Sequence, residues 1–78
     1  MEDLTLCVQA APGGWRIACP VGDLSLMFLS GAEAEAKAHA FAERLSASGR
    51  DVRVVIEDRH GRVAGATRYF SADELALI

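Results

Sequence analysis

A chain of 78 residues holds one domain, and at that size it buries only about 60–65% of its unfolded surface, so its stability margin is thin. A hydrophobic content of 51% excludes a disordered chain and favours one that shares surface with a partner or a twin. The net charge of -3 offers little overall to a polyanion, and no apolar run approaches the ~20 residues that span a bilayer.

The opening MEDLTL carries acids where a signal or transit peptide needs Lys or Arg, so a bacterial-type cytoplasm is expected. Two cysteines fit that compartment, since a small secreted domain usually carries more. Asp3 to Ala10 alternates: Leu4, Leu6 and Val8 make one face, Thr5, Cys7 and Gln9 the other, which is the pattern of a half-buried strand. Pro12-Gly13-Gly14 is a turn, because proline cannot donate to a ladder and glycine accepts positive φ. Trp15 to Cys19 returns with Trp15, Ile17 and Cys19 inward and Arg16 outward. With Gly13-Gly14 as the two loop residues, Val8 faces Cys19, Ala10 faces Ile17, and Cys7 points to the other face. Only a one-residue slip would set the two cysteines opposite each other, and it would turn the apolar set outward, so both are expected free. A second turn, Pro20 to Asp23, leads to Leu24–Leu29, with Leu24, Leu26 and Phe28 inward and Ser25, Met27 and Leu29 outward.

Ser30 to Gly49 reads as a capped helix. Ser30 with Glu33 forms a capping box, and Gly49 supplies the left-handed residue past the end. Six alanines between Ala32 and Ala42 favour helix, and Glu33 with Lys37 makes an i,i+4 pair. Ala34, Ala38, Phe41 and Leu45 form the buried stripe with Ala42 beside it; Ala36, Ala40 and Ala47 form a weaker strip; Glu35, His39, Glu43 and Ser46 fall opposite. The Ala34–Ala38 end should approach the sheet most closely. Asp51 to Glu57 follows as a strand with Val52, Val54 and Ile56 inward. Asp58-Arg59-His60-Gly61 is a hairpin loop, and Arg62 to Phe70 returns. Closing on Glu57 and Arg62 pairs Ile56 with Val63, Val54 with Gly65 and Val52 with Thr67, and sets Glu57 against Arg62 and Asp51 against Arg68. Gly65 in mid-strand should mark a close approach of backbone, the alanine stripe being the candidate. Ser71 with Glu74 opens a short helical turn that leaves Leu75, Leu77 and Ile78 to dock on the domain or on a neighbour.

The order β-β-β-α-β-β with a short C-terminal helical turn predicts an α+β two-layer sandwich, one helix on a mainly antiparallel sheet. Gly14-Trp15-x-Ile17 on a strand, an Ala/Glu-rich helix ending in Gly49, Val52-x-Val54, and Asp58-x-x-Gly61-x-Val63 on a hairpin together resemble short bacterial domains of unknown function of the DUF-2188 type. The likeness spans Leu6 to Phe70. It implies a compact stand-alone module, no assigned activity and no functional residues. The segment LSLMFLSGAE departs from it, since such domains tend to be more basic and polar before the helix.

No catalytic constellation is expected. Glu35, His39 and Glu43 share a helix face, but a metal site draws ligands from a second element, and a solvated face with i,i+4 pairs explains them. His60 is an ordinary hairpin-tip residue. Cys7 and the serines lack a paired histidine and carboxylate, and the glycines form neither G-x-G-x-x-G nor a phosphate loop. The pattern therefore predicts a non-enzymatic interaction module without metal or cofactor, homodimeric or bound to a protein partner, away from membranes. Its expected interaction face is Cys7, Arg16, Met27, Leu29, Arg53, Val55, Ala64, Ala66 and Arg68, with Leu75, Leu77 and Ile78 covering it in cis or in trans. The alternative is nucleic-acid binding through Arg16, Arg53, Arg62 and Arg68. Against it stand the acidic chain, the acidic cross-strand partners, and the inward aromatics Trp15, Phe28 and Tyr69, which single-strand binding would want outside.

Overall fold

The computed structural model describes residues 4–19 and 25–71. The strands are β1 (Leu4–Ala11), β2 (Gly14–Ala18), β3 (Ser25–Phe28), β4 (Val52–Glu57) and β5 (Val63–Tyr69), with one helix, α1 (Gly31–Ala47), between β3 and β4. They form a single sheet in the order β3-β2-β1-β4-β5. Three neighbour pairs are antiparallel, and the central pair, β1 with β4, is parallel. The architecture is the expected α+β sandwich. The turn at Pro20–Asp23, the inward placement of Leu24 and the C-terminal helical turn lie outside the described residues.

The helix ends follow local chemistry. Ser30 is extended and its hydroxyl accepts from the Glu33 N–H at 3.1 Å. At the other end Gly49 takes φ 102°. The Arg50 N–H reaches the Leu45 carbonyl and the Gly49 N–H reaches Ser46, the two bonds of a Schellman motif. Ala34, Ala38 and Ala42 are fully buried against Leu6, Val8, Ile17, Val52 and Val54. Phe41 and Leu45 flank this core and are partly buried. The stripe's centre therefore runs through Ala42 rather than Phe41, and contact with the sheet is close along all three alanines instead of only at the Ala34–Ala38 end. Small side chains let the helix axis lie near the strands, and the larger pair closes the sides.

Both hairpins keep the expected faces but shift their pairing by two residues. Val8 lies across from Ile17 and Ala10 from Trp15, because Pro12-Gly13 are the loop residues and Ala11 pairs with Gly14. Gly13 carries the positive φ, 85°. Gly14 instead permits a close approach: a Cβ there would stand 2.3 Å from the Phe28 carbonyl oxygen of β3. In the second hairpin Val54 pairs with Thr67 and Ile56 with Gly65, and a bulge at Ala64 brings Glu57 opposite Val63. Asp58 closes that loop. Its N–H bonds the Arg62 carbonyl at 2.8 Å, and its Oδ1 accepts from His60 and Arg62 N–H at 2.8 and 3.0 Å. These contacts hold its carboxyl below the usual range, the Arg62 backbone bond first.

Gly65 is not a point of close approach, since a Cβ there would meet nothing within 4 Å. The close helix contact falls elsewhere, at Gly31, where a Cβ would press on the Trp15 ring at 3.1–3.3 Å. Asp51 ties three strand ends together. Its carbonyl accepts from the Leu4 N–H at 2.9 Å, and its carboxylate accepts from the Ser71 N–H at 2.8 Å and sits 3.9 Å from Arg68. The expected Asp51–Arg68 ion pair thus forms on a diagonal, while Arg53 stands directly across from Arg68.

Candidate functional site

With α1 on one side, the sheet's other side carries Cys7 and Gln9 from β1, Arg16 from β2, Met27 from β3, Arg53, Val55 and Glu57 from β4, and Ala66 and Arg68 from β5. Alternation against the buried Leu6, Val8, Ile17, Val52 and Val54 places them there. Its centre is a bonded polar relay. Arg16 Nε donates to Gln9 Oε1 at 3.0 Å, Gln9 Nε2 donates to Glu57 Oε2 at 3.2 Å, and the Cys7 thiol donates to the same oxygen at 3.0 Å. Burial, then the Glu57 hydrogen bond and charge, push the Cys7 thiol up to about 11. The same two donors, Cys7 first, hold the Glu57 carboxyl below its ordinary value. A thiol so placed is a hydrogen-bond donor and a poor nucleophile. Both cysteines are free thiols.

Around this relay the surface is apolar and exposed. Met27 is 54% exposed, Val63 66% and Phe70 48%. Val63 stands opposite Glu57, whose carboxylate serves the relay, so it belongs to this side. The Arg68 guanidinium lies 5.2 Å over the Phe70 ring, which places Phe70 there too. Neither Val63 nor Phe70 stood out in the sequence: unbroken alternation with Gly65, Thr67 and Tyr69 assigns Val63 to the helix side, and it is the bulge at Ala64 that turns it outward. Ala64 itself is the bulged residue, without a partner in the β4 register.

Two sequence expectations move. Leu29 follows β3 instead of belonging to it, and at 90% exposed it lines a groove of about 400 Å³ at the sheet end with Trp15, Arg59 and the Gly13-Gly14 backbone. His39 is not on the solvated helix face: its Nδ1 and the Tyr69 hydroxyl are 2.7 Å apart, and its Nε2 is 3.8 Å from Glu35 Oε1. Burial, then the charge of Glu43, raises the Tyr69 hydroxyl above its ordinary value. Among the described residues no three of His, Cys, Asp and Glu are grouped to hold a metal. Leu75, Leu77 and Ile78 lie outside the described residues. Among those described, no helix is long and apolar enough to cross a membrane.

No family model, no curated protein and no solved structure matches this chain. The likeness to DUF-2188-type domains carries no residue assignment forward.

Proposed function

We propose that this domain is a non-enzymatic interaction module that associates with a second copy of itself on the side of the sheet that α1 leaves bare. One observation carries the reading: Met27, Val63 and Phe70, three of the large exposed apolar side chains, share that side. A thin-margined small domain gains from covering such groups. Two free cysteines, with Cys7 held as a thiol, fit a reducing cytoplasm. Sedimentation velocity between about 5 and 200 µM tests the reading, in the micromolar range that weak dimers occupy. The sedimentation coefficient should rise with concentration, and Phe70→Glu should hold it at the monomer value. A single monomeric species throughout would contradict the reading.

Nucleic-acid binding keeps one supporting observation, the direct apposition of Arg53 and Arg68. Against it, Arg68 is engaged by Asp51 and Phe70, and Arg16 by Gln9. Phosphate binding depends on uncompensated positive charge, so fluorescence anisotropy with labelled duplex and single strand at low salt should show no binding. Salt-sensitive binding would replace the dimer reading.

A further inference from the structure

We propose that the groove at the sheet end binds a small aromatic carboxylate, its ring against Trp15 and its charge on Arg59. The inference is independent of the self-association reading and uses a different part of the molecule. β1 and β4 run parallel, so the turn after β1 and the loop after β4 stand at the same end of the sheet. α1 begins at that end too, where Gly31 lies against the Trp15 ring. Alternation puts Ala10 on the helix side with Val8, yet Ala10 is exposed, so the helix leaves this end of the sheet uncovered. The groove of about 400 Å³ that results falls within the range of about 300–1,000 Å³ that small-ligand sites occupy.

Its lining selects the ligand. Trp15, Ala10 and Leu29 give apolar surface, and the Gly13-Gly14 backbone carries no side chains to hold a ring away. Leu29, at 90% exposed, is a large apolar group with nothing of its own chain laid over it. A flat ring meets an indole well, stacked or edge to face. The one charged lining residue is Arg59, and no acid lines the groove among the described residues. Among those residues its guanidinium has no ion-pair partner. Asp58, its neighbour in the loop, has its Oδ1 taken up by the His60 and Arg62 N–H groups. A lone guanidinium matches a carboxylate through two parallel hydrogen bonds, whereas a phosphate draws on further cations that this groove lacks.

Trp15 is the chain's one tryptophan, so its fluorescence reports the groove directly. The probes are 3-phenylpropionate, its uncharged amide, acetate and inorganic phosphate, each titrated into the full chain at constant ionic strength to about 20 mM, a range that reveals millimolar binding. 3-Phenylpropionate should give a saturable change, the amide should bind at least about fivefold more weakly, and acetate and phosphate should give none, because ring and charge are both needed. Arg59→Gln, at an exposed loop position, should melt like the native chain and bind acid and amide alike. Leu29→Ser should weaken acid and amide by the same factor, which separates the apolar contact from the charge. No saturable change with 3-phenylpropionate, equal binding of acid and amide by the native chain, or an Arg59→Gln variant that keeps the preference for the acid would overturn the proposal.

Discussion

Replacing Glu57 by Gln tests the polar relay on the bare face. In the native protein the Cys7 thiol sits at about 11 against an ordinary 9.0. At pH 8 that leaves about a thousandth of it as thiolate, where an unperturbed thiol would have about a tenth, a hundredfold difference. Burial is the largest cause and survives the substitution; the anionic acceptor 3.0 Å away does not. Glu57→Gln removes the Glu57 charge and its ionised acceptor, so the Cys7 pKa falls toward 9.0 and the thiolate fraction at pH 8 rises, by less than the full hundredfold because burial remains. The assay is iodoacetamide alkylation between pH 7 and 10, read by peptide mass mapping, with Cys19 in the same digest as internal reference. Following the rate against pH separates ionisation from mere access. A native Cys7 that titrates near 9, or a variant whose profile does not move, would refute the hydrogen-bonded arrangement.

Gly14→Ala should cost about 2–3 kcal/mol, because its Cβ would stand 2.3 Å from the Phe28 carbonyl oxygen and must push β3 away. A thermal melt should fall by 10 °C or more, and an unchanged melt would exclude that close approach. Gly65→Thr should do the reverse, gaining about 0.5–1 kcal/mol, since the site has open space and its φ is not left-handed. A lower melting temperature would mean that something does occupy that space. Asp58 and Glu57 both titrate below their ordinary 3.8 and 4.5, so their contribution is present above those values and is lost as pH falls further, through the folded pKa. Asp58→Asn keeps the oxygen that accepts from His60 and Arg62 but no longer titrates. Urea melts from pH 6 to 2 should show a shallower acid limb for it than for the native chain.

The layers and faces of this fold were legible because period alone decides them. Leu4-x-Leu6-x-Val8 and Val52-x-Val54-x-Ile56 could face only one way, and the Ser30 and Gly49 caps fixed the helix to within a residue. Pairing was less legible. Pro12-Gly13-Gly14 offers two overlapping two-residue loops, and the choice depends on Phe28, a residue on another strand. The apparent match of Glu57 with Arg62 misled for a related reason: Glu57 is drawn to Cys7 and Gln9, which approach only because β1 and β4 lie side by side in parallel. A parallel pairing leaves no local mark in either strand. His39 was misplaced because helical period puts it opposite Ala38's neighbours but says nothing of β5, whose Tyr69 reaches up to it. Met27, Arg16, Arg53, Val55, Ala66 and Arg68 were placed by alternation alone, whereas Val63 depended on a bulge that sequence does not announce.

The most direct test of the central claim is amide hydrogen exchange at about 2 and 200 µM, concentrations chosen to straddle a micromolar dissociation constant. Protection should rise with concentration in the strands that carry exposed apolar groups of the bare side, Ser25–Phe28 and Val63–Tyr69, and stay constant along Gly31–Ala47. Concentration-dependent protection on the helix, or none anywhere, would contradict the claim that copies meet on the side the helix leaves bare.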